Sequence, residues 1–214
     1  MDFLGGVKVV EETHSPINGK IQVIRSFAFG TYVQVGGLTQ TGGVVNGVWK
    51  KSLKKVQSLK VDVKTCLLLG LGGGGNASIV KKFWPNSVVT GVDIDSKMIE
   101  IGKKYFGLDK LSINIVTADA LAMIKKEKLK KRKYDLILID LYVGDNYPEK
   151  FESQNFIELI LACLNPGGMA VFNRLYYGEK RKIAVNFLQV LEKLFSKVYV
   201  VYPEANVMYL GLQS

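Results

Sequence analysis

Residues 65–80, TCLLLGLGGGGNASIV, limit more than any other segment what this chain can fold into. TCLLL is a short, unbroken apolar run, the pattern of a strand buried on both faces of a parallel sheet. Gly70 follows at once, then Gly72, Gly73, Gly74 and Gly75, and then a helix-forming stretch. A glycine turn between a strand and a helix lets backbone N–H groups approach a ligand at the helix N-terminus. Nineteen residues after Gly74 comes Asp93, at the end of the next strand-like run, SVVTGVDID. A carboxylate at that point can accept both hydroxyls of a ribose. The combination predicts a nucleoside ligand. Gly70, Gly72 and Gly75 also satisfy the literal GxGxxG string, so a nicotinamide-dependent dehydrogenase stays open on the motif alone.

The rest of the chain repeats the strand–helix alternation. SKMIEIGKKYF reads as a helix starting at a Ser N-cap. LSINIVTAD, ALAMIKKEKL and YDLILID continue as strand, helix and strand. FESQNFIELILACL is a helix stopped by Asn165-Pro166-Gly167-Gly168, GMAVFNRL a strand and EKRKIAVNFLQVLEKLF a long helix. KVYVVYP and NVMYLGL are joined too tightly to be anything but antiparallel. This order predicts an α/β, Rossmann-like doubly wound sheet with an antiparallel C-terminal strand. Before it, VKVVEET, KIQVIRSF and FGTYVQV read as short strands, with GGLTQTGG as a glycine-rich connection. Apolar residues at 49, 53, 56 and 59 then give WKKSLKKVQSL a helical period. The expected division is a small β domain over 1–48 and a nucleoside-binding domain over 49–214.

Charge adds a constraint. The 214 residues carry a net charge of +10, but residues 49–64 hold +5 and residues 120–133 hold +6, leaving the remainder at −1. Both runs read as solvated helix faces and helix exits, where cations complement the dipole. Neither run interleaves aromatics, so nucleic acid is not the expected partner. No apolar run reaches the ~18–20 residues that span a bilayer. MDFLGGVKVVEET lacks the basic-then-apolar pattern of a secretory leader. Cys66 and Cys163 sit in apolar contexts that suit reduced thiols in a cytoplasmic protein. Two Cys and one His exclude a structural zinc site, and His14, in a turn before Pro16, reads as a surface residue.

Two later blocks narrow the ligand. Thr117-Ala118-Asp119-Ala120 follows the third strand of the alternation, and Leu164-Asn165-Pro166-Gly167-Gly168 precedes the fifth. With GLGGGG, GVDID, KKYFG and YDLILID in order, the chain resembles the spermidine synthase-like proteins of the class I S-adenosylmethionine (AdoMet)-dependent methyltransferase fold. EETHSPINGKIQVIRSFAFGTYVQVGGLTQ resembles that family's small β domain, ending at Gln40. The resemblance implies that Gly70, Gly72, Gly73 and Gly74 line the nucleoside end, with Gln40 beside them. It implies that Asp93 holds the ribose with Ile94 and Asp95 nearby, and that Asp119 and Ala120 address the adenine. It gives Asp140, at the tip of YDLILID, the position of the family's catalytic acid. Tyr142 and Asp145, in the loop beyond it, become candidate acceptor contacts. The implied cofactor is AdoMet, its decarboxylated form or methylthioadenosine. A small-molecule acceptor and a homodimer are the implied partners, with no membrane.

Departures from the family pattern matter as much. The Asp in the middle of the family's glycine loop is Gly73 here, and the second Asp after the catalytic acid is Val143. The Tyr-His-Glu type element is replaced around Val48-Trp49-Lys50. With those amine contacts gone and Lys50 and Lys51 close in sequence, a polycationic acceptor is disfavoured. The expected activity is methyl transfer from AdoMet to a small acceptor, with Asp140 as base or orienting group. Aminopropyl transfer and a non-catalytic nucleoside-binding protein are the alternatives.

Overall fold

The computed structural model describes residues 6–214. Residues 1–5, where the reading against a leader and the 1–48 domain both begin, lie outside the described residues. Four strands come first: β1 (Val7–Ser15), β2 (Gly19–Ser26), β3 (Gly30–Val35) and β4 (Leu38–Gly42). They form an antiparallel meander in that order. The helix α1 (Val45–Ser58) leads into β5 (Thr65–Leu69), α2 (Gly75–Phe83), β6 (Val88–Asp93), α3 (Ser96–Phe106), β7 (Asn114–Thr117) and α4 (Ala120–Leu129). Then follow β8 (Tyr134–Ile139), α5 (Gln154–Ala162), β9 (Leu164–Leu175), α6 (Lys180–Leu194), β10 (Lys197–Val201) and β11 (Asn206–Leu212). The second sheet runs β10-β11-β9-β8-β5-β6-β7. It is parallel from β9 to β7, and β11 pairs antiparallel with both β9 and β10.

The alternation along β5 explains why a purely apolar strand was required. Leu67 and Leu69 face a core shared with residues of α4, α5 and α6, including Ile124, Phe156 and Phe187. Cys66 and Leu68 face the opposite core, against Trp49, Leu53 and Val56 of α1 and Val80 of α2. Each β5 side chain from Cys66 to Leu69 is fully buried, so these four positions are apolar, while half-buried Thr65 at the strand's start bonds Asp135. Both cysteines are free and buried, and burial raises the thiol pKa of each, that of Cys163 to about 11. No described helix is long and apolar enough to cross a membrane.

Several local expectations change. GGLTQTGG is not a mere connection: Leu38–Gly42 pairs with β3 across a bulge, because a two-glycine turn at Gly36 and Gly37, both at positive φ, folds the chain back. The helix expected from Trp49 begins earlier, at Val45. His14 is exposed as expected, but it lies within β1 opposite Lys20 rather than in the turn. Asn165–Gly168 ends no helix directly; it is a bulged entry into β9, with Tyr134 opposite Leu164 and Leu136 opposite Met169.

The cap of α3 is Asp95, not Ser96. One Asp95 oxygen accepts from the Lys97 N–H at 2.9 Å. The other accepts from Ser15 Oγ at 2.5 Å and Asn18 Nδ2 at 2.6 Å. A single buried carboxylate therefore fastens the β1–β2 turn to the helix that follows β6. Ile21, Val23, Val33 and Val35 of the small sheet pack on Met98 and Ile101 of the same helix. Asp95→Ala removes the cap and leaves the buried Ser15 O–H without its acceptor, although that oxygen still accepts from the Ile17 and Asn18 N–H groups, so it should cost about 2 kcal/mol in urea unfolding. Ser96→Ala should change stability by only a few tenths.

Candidate active site

The strand order reverses between β5 and β8, and in open α/β sheets the crevice beyond such a reversal is where ligands bind. Here the reversal brings Gly70 and Asp140 together. The Asp140 N–H donates to the Leu69 carbonyl at 2.8 Å, and a Cβ on Gly70 would lie 1.9 Å from the Asp140 carbonyl oxygen. Gly70 also has φ of +91°, a conformation that side chains resist. Glycine at this point is a requirement of the backbone, independent of any ligand.

A cavity of about 340 Å³ opens over this junction. Gly72, Gly75, Asn76, Asp93 and Ile94 line one end, Gly70 lines the junction with Asp140, and Gln40 and Thr41 of β4 with Asn18 of the β1–β2 turn form a wall. Asp140, Trp49, Tyr142, Asn173, Tyr177 and Asn206 line the other end. Gln40 donates to the Gly144 carbonyl at 3.2 Å, joining β4 to the loop beyond β8. Asp145, an acceptor candidate, is exposed, pairs with Lys180 at 3.0 Å and does not line the cavity.

Each glycine-loop position has a separate task. The Gly72 N–H donates to Asp93 at 2.6 Å, which ties the loop to the end of β6. The Asp95 N–H occupies the second Asp93 oxygen at 2.9 Å. Burial raises the Asp93 pKa, opposed by these backbone donors. The Gly73 N–H donates to Thr41 Oγ1 at 2.9 Å, and a Cβ on Gly73 would meet Thr41 Cγ2 at 2.7 Å. A side chain at 73 would therefore have to displace the Thr41 side chain. Gly74 packs against Leu108, away from the cavity lining.

Asp119 and Ala120 stand apart from this cavity. Asp119 caps α4 by accepting from the Leu121 and Ala122 N–H groups, and its other oxygen pairs with Lys150 at 2.6 Å. Burial alone would raise its pKa, but the Lys150 ammonium and the two backbone donors bring it below the ordinary value. Neither residue is among those lining the cavity.

Asp140 is held by neutral donors. Trp49 Nε1 donates to one oxygen at 2.9 Å and Asn173 Nδ2 to the other at 2.8 Å. Asn206 Nδ2 donates to Asn173 Oδ1 at 2.8 Å, which fixes the Asn173 amide with its N–H₂ toward the carboxylate. Burial raises the Asp140 pKa; the two donors oppose this and the Asp93 charge reinforces it. Tyr142 is oriented by the Leu175 N–H, which donates to its hydroxyl at 2.8 Å. Sequence reasoning missed Trp49, Asn173, Asn206 and Thr41. The one visible signal was Asn173, a polar residue inside the apolar run MAVFNRL.

Lys50 and Lys51, close to the acceptor element in sequence, are not at the cavity. Lys51 donates to the Tyr202 carbonyl at 3.2 Å on the outside. α1 turns Trp49 inward, and a residue one place on in a helix points about a quarter-turn away. No described lysine or arginine lines the cavity, whereas Asp93, Asp140 and Glu204 do. The geometry at the junction makes Gly70→Ala the severest small change available. It should destabilise by about 3 kcal/mol or more, read as a fall in the urea midpoint, while Gly144→Ala, strained by its φ of +61° but with nothing within 4 Å of its Cβ, should cost about 1 kcal/mol.

Comparison with known proteins agrees with this architecture. Residues 51–209 match the spermine/spermidine synthase domain family. A probable polyamine aminopropyl transferase of Bifidobacterium longum is 29% identical over 139 residues, covering 65% of this chain and 30% of that protein. An eEF1A lysine and N-terminal methyltransferase homolog of Drosophila pseudoobscura pseudoobscura is 30% identical over 152 residues, 67% of this chain and 22% of that protein. The chain thus spans a third or less of the length of either curated relative. The crystal structure of human methyltransferase-like protein 13 in complex with SAH has a TM-score of 0.63 at 23% identity, covering 80% of each chain. These relatives are transferases, some named for aminopropyl and others for methyl transfer. With its matched stretch running from α1 to β11, the chain belongs to the spermine/spermidine synthase domain family.

Proposed function

We propose that this protein is an AdoMet-dependent transferase that moves a methyl group to a small acceptor held beside Asp140. The observation that carries this reading is the single cavity joining Asp93 at one end to Asp140 at the other, without a lysine or arginine among its described lining residues. Such a wall suits a sulfonium-bearing nucleoside: carboxylates attract its positive charge and no cation repels it. The Asp93 carboxylate, at the tip of β6, fits a ribose because its oxygens can accept from hydroxyls. Ile94, 46% exposed at the same rim, offers an apolar face to a base.

AdoMet supplies an electrophilic carbon next to a positive sulfur. The acceptor's lone pair forms the new bond to that carbon, the carbon–sulfur bond breaks toward sulfur, and the Asp140 carboxylate takes the proton shed by the acceptor. Trp49 and Asn173 hold that carboxylate in one orientation, so alignment of acceptor and donor is the protein's main contribution. Methyl transfer is favoured over aminopropyl transfer by position 73. Thr41 packs where the Cβ of the family's mid-loop Asp would lie, so this site has glycine in place of the acid that favours the decarboxylated donor. The relatives named as aminopropyl transferases, with Asp140 and Glu204 lining the cavity, favour the second reading, aminopropyl transfer to an amine.

Calorimetry should rank AdoMet above decarboxylated AdoMet; the reverse order would establish the second reading. Asp93→Ala should weaken AdoMet binding about tenfold or more, by loss of charge-assisted hydrogen bonds to the ribose. Once an acceptor is found, Asp140→Asn should lower kcat by about a hundredfold or more. Because the Asp140 pKa is raised, the ionised base is lost earlier on acidification than for an ordinary carboxylate. Wild-type kcat should therefore rise with pH through a value above the usual Asp range, and Asp140→Asn should lose that limb.

A further inference from the structure

Three neighbouring elements, α1, α2 and β10, contain Lys50, Lys51, Lys54, Lys55, Lys81, Lys82 and Lys197 and not one Asp or Glu. α1 packs against both α2 and β10, so the three elements are contiguous, and Lys50 and Lys82 line one depression between α1 and α2. Lys50 and Lys54, and Lys51 and Lys55, are spaced i, i+4, where like charges destabilise a helix. Lys55 and Lys197 both lie over the Tyr199 ring, with ammonium nitrogens 5.5 and 4.8 Å from its centroid. Lys51 and Lys81 donate to the Tyr202 and Ser87 carbonyls, and no acidic residue of these three elements offsets the remaining charge.

The fold adds what the lysine-rich sequence lacked. Between α1 and α2 lies a depression of about 240 Å³, lined by Lys50 and Lys82 together with Ser78, Ile79, Phe83 and Phe106. Phe83 comes from α2 and Phe106 from α3, so aromatic surface reaches the basic face only through tertiary packing. Asn46 and Gly75 line both this depression and the transferase cavity, so the two are adjacent. Cations tracking a backbone, with an aromatic recess among them, are the recognition chemistry of single-stranded nucleic acid. An anionic bilayer would call for an apolar plane rather than a recess, and a purely acidic peptide would leave the aromatic walls unfilled.

We propose that the α1–α2–β10 face binds single-stranded nucleic acid, with phosphates along Lys50, Lys51, Lys54 and Lys82 and a base in the Phe83–Phe106 recess. The second basic stretch, 125–133, is on the opposite side of the sheet and is partly used internally. Arg132 pairs with the buried Glu127 and Lys133 donates to the Ala162 carbonyl.

Fluorescence anisotropy with a labelled oligothymidylate of about twenty nucleotides tests this at low salt. The wild type should bind, and K50E/K54E/K82E should weaken binding by about tenfold or more and lower the salt slope by about 2. K125E/K126E, on the other side, should leave affinity unchanged. Phe83→Leu, which keeps an apolar side chain but removes the ring, should weaken oligonucleotide binding while leaving dextran sulfate binding as it was. Equal melting temperatures by circular dichroism keep the charge reversals interpretable. Unchanged affinity in K50E/K54E/K82E would overturn the proposal. So would binding to dextran sulfate, polyglutamate or phosphatidylserine vesicles as tight as binding to the oligonucleotide.

Discussion

The contact between Gly70 and the Asp140 backbone is the constraint around which the rest is arranged. β5 and β8 are adjacent parallel strands, and their chains leave the sheet in different directions at the same level. Gly70 allows them to touch there: its φ of +91° turns the chain away, and the lack of a Cβ leaves room for the Asp140 carbonyl. From that point the glycine loop passes to α2, held by Asp93 through Gly72 and by Thr41 through Gly73. Asp140 is simultaneously fixed at the bottom of the cavity. One steric condition thus sets the distance between the nucleoside end and the reacting end.

The small sheet is part of the site, not an ornament to it. Thr41 fills the space behind Gly73, Gln40 holds the loop after Asp140, and Asp95 binds the β1–β2 turn by Ser15 and Asn18. These bonds close one side of the cavity with residues from β4 and the first hairpin. They also account for the departure of residue 73 from the family pattern: an acid there would have to displace a β4 side chain. Chemistry at the acceptor end follows from the same packing, because α1 starts at Val45 and carries Trp49 into contact with Asp140.

Charge is sorted by these arrangements. The cavity wall holds carboxylates and amides, while lysines of α1 and α2 point outward from elements that line it. A net charge of +10 therefore says little about the ligand in the cleft and much about the outer face. The two surfaces meet at Asn46 and Gly75.

The sequence alone determined the doubly wound sheet, because TCLLL, VVTGVD and YDLILI are apolar at a strand's length and are separated by helical periods. It also determined the glycine turn and the two carboxylates at strand ends, Asp93 and Asp140, since strand polarity dictates which end faces the cleft. Only the tertiary structure decided which oxygens those carboxylates share. Trp49 read as one apolar position of a helix, and nothing local indicates that its Nε1 meets a residue 91 positions away. Asn173 and Asn206 come together only because β11 pairs antiparallel with β9. Asp119 shows the converse: a family position was legible, but its oxygens went to a helix cap and Lys150. Periodicity is a property of neighbouring residues and survives in the sequence, whereas partner choice depends on register and on the packing of remote elements.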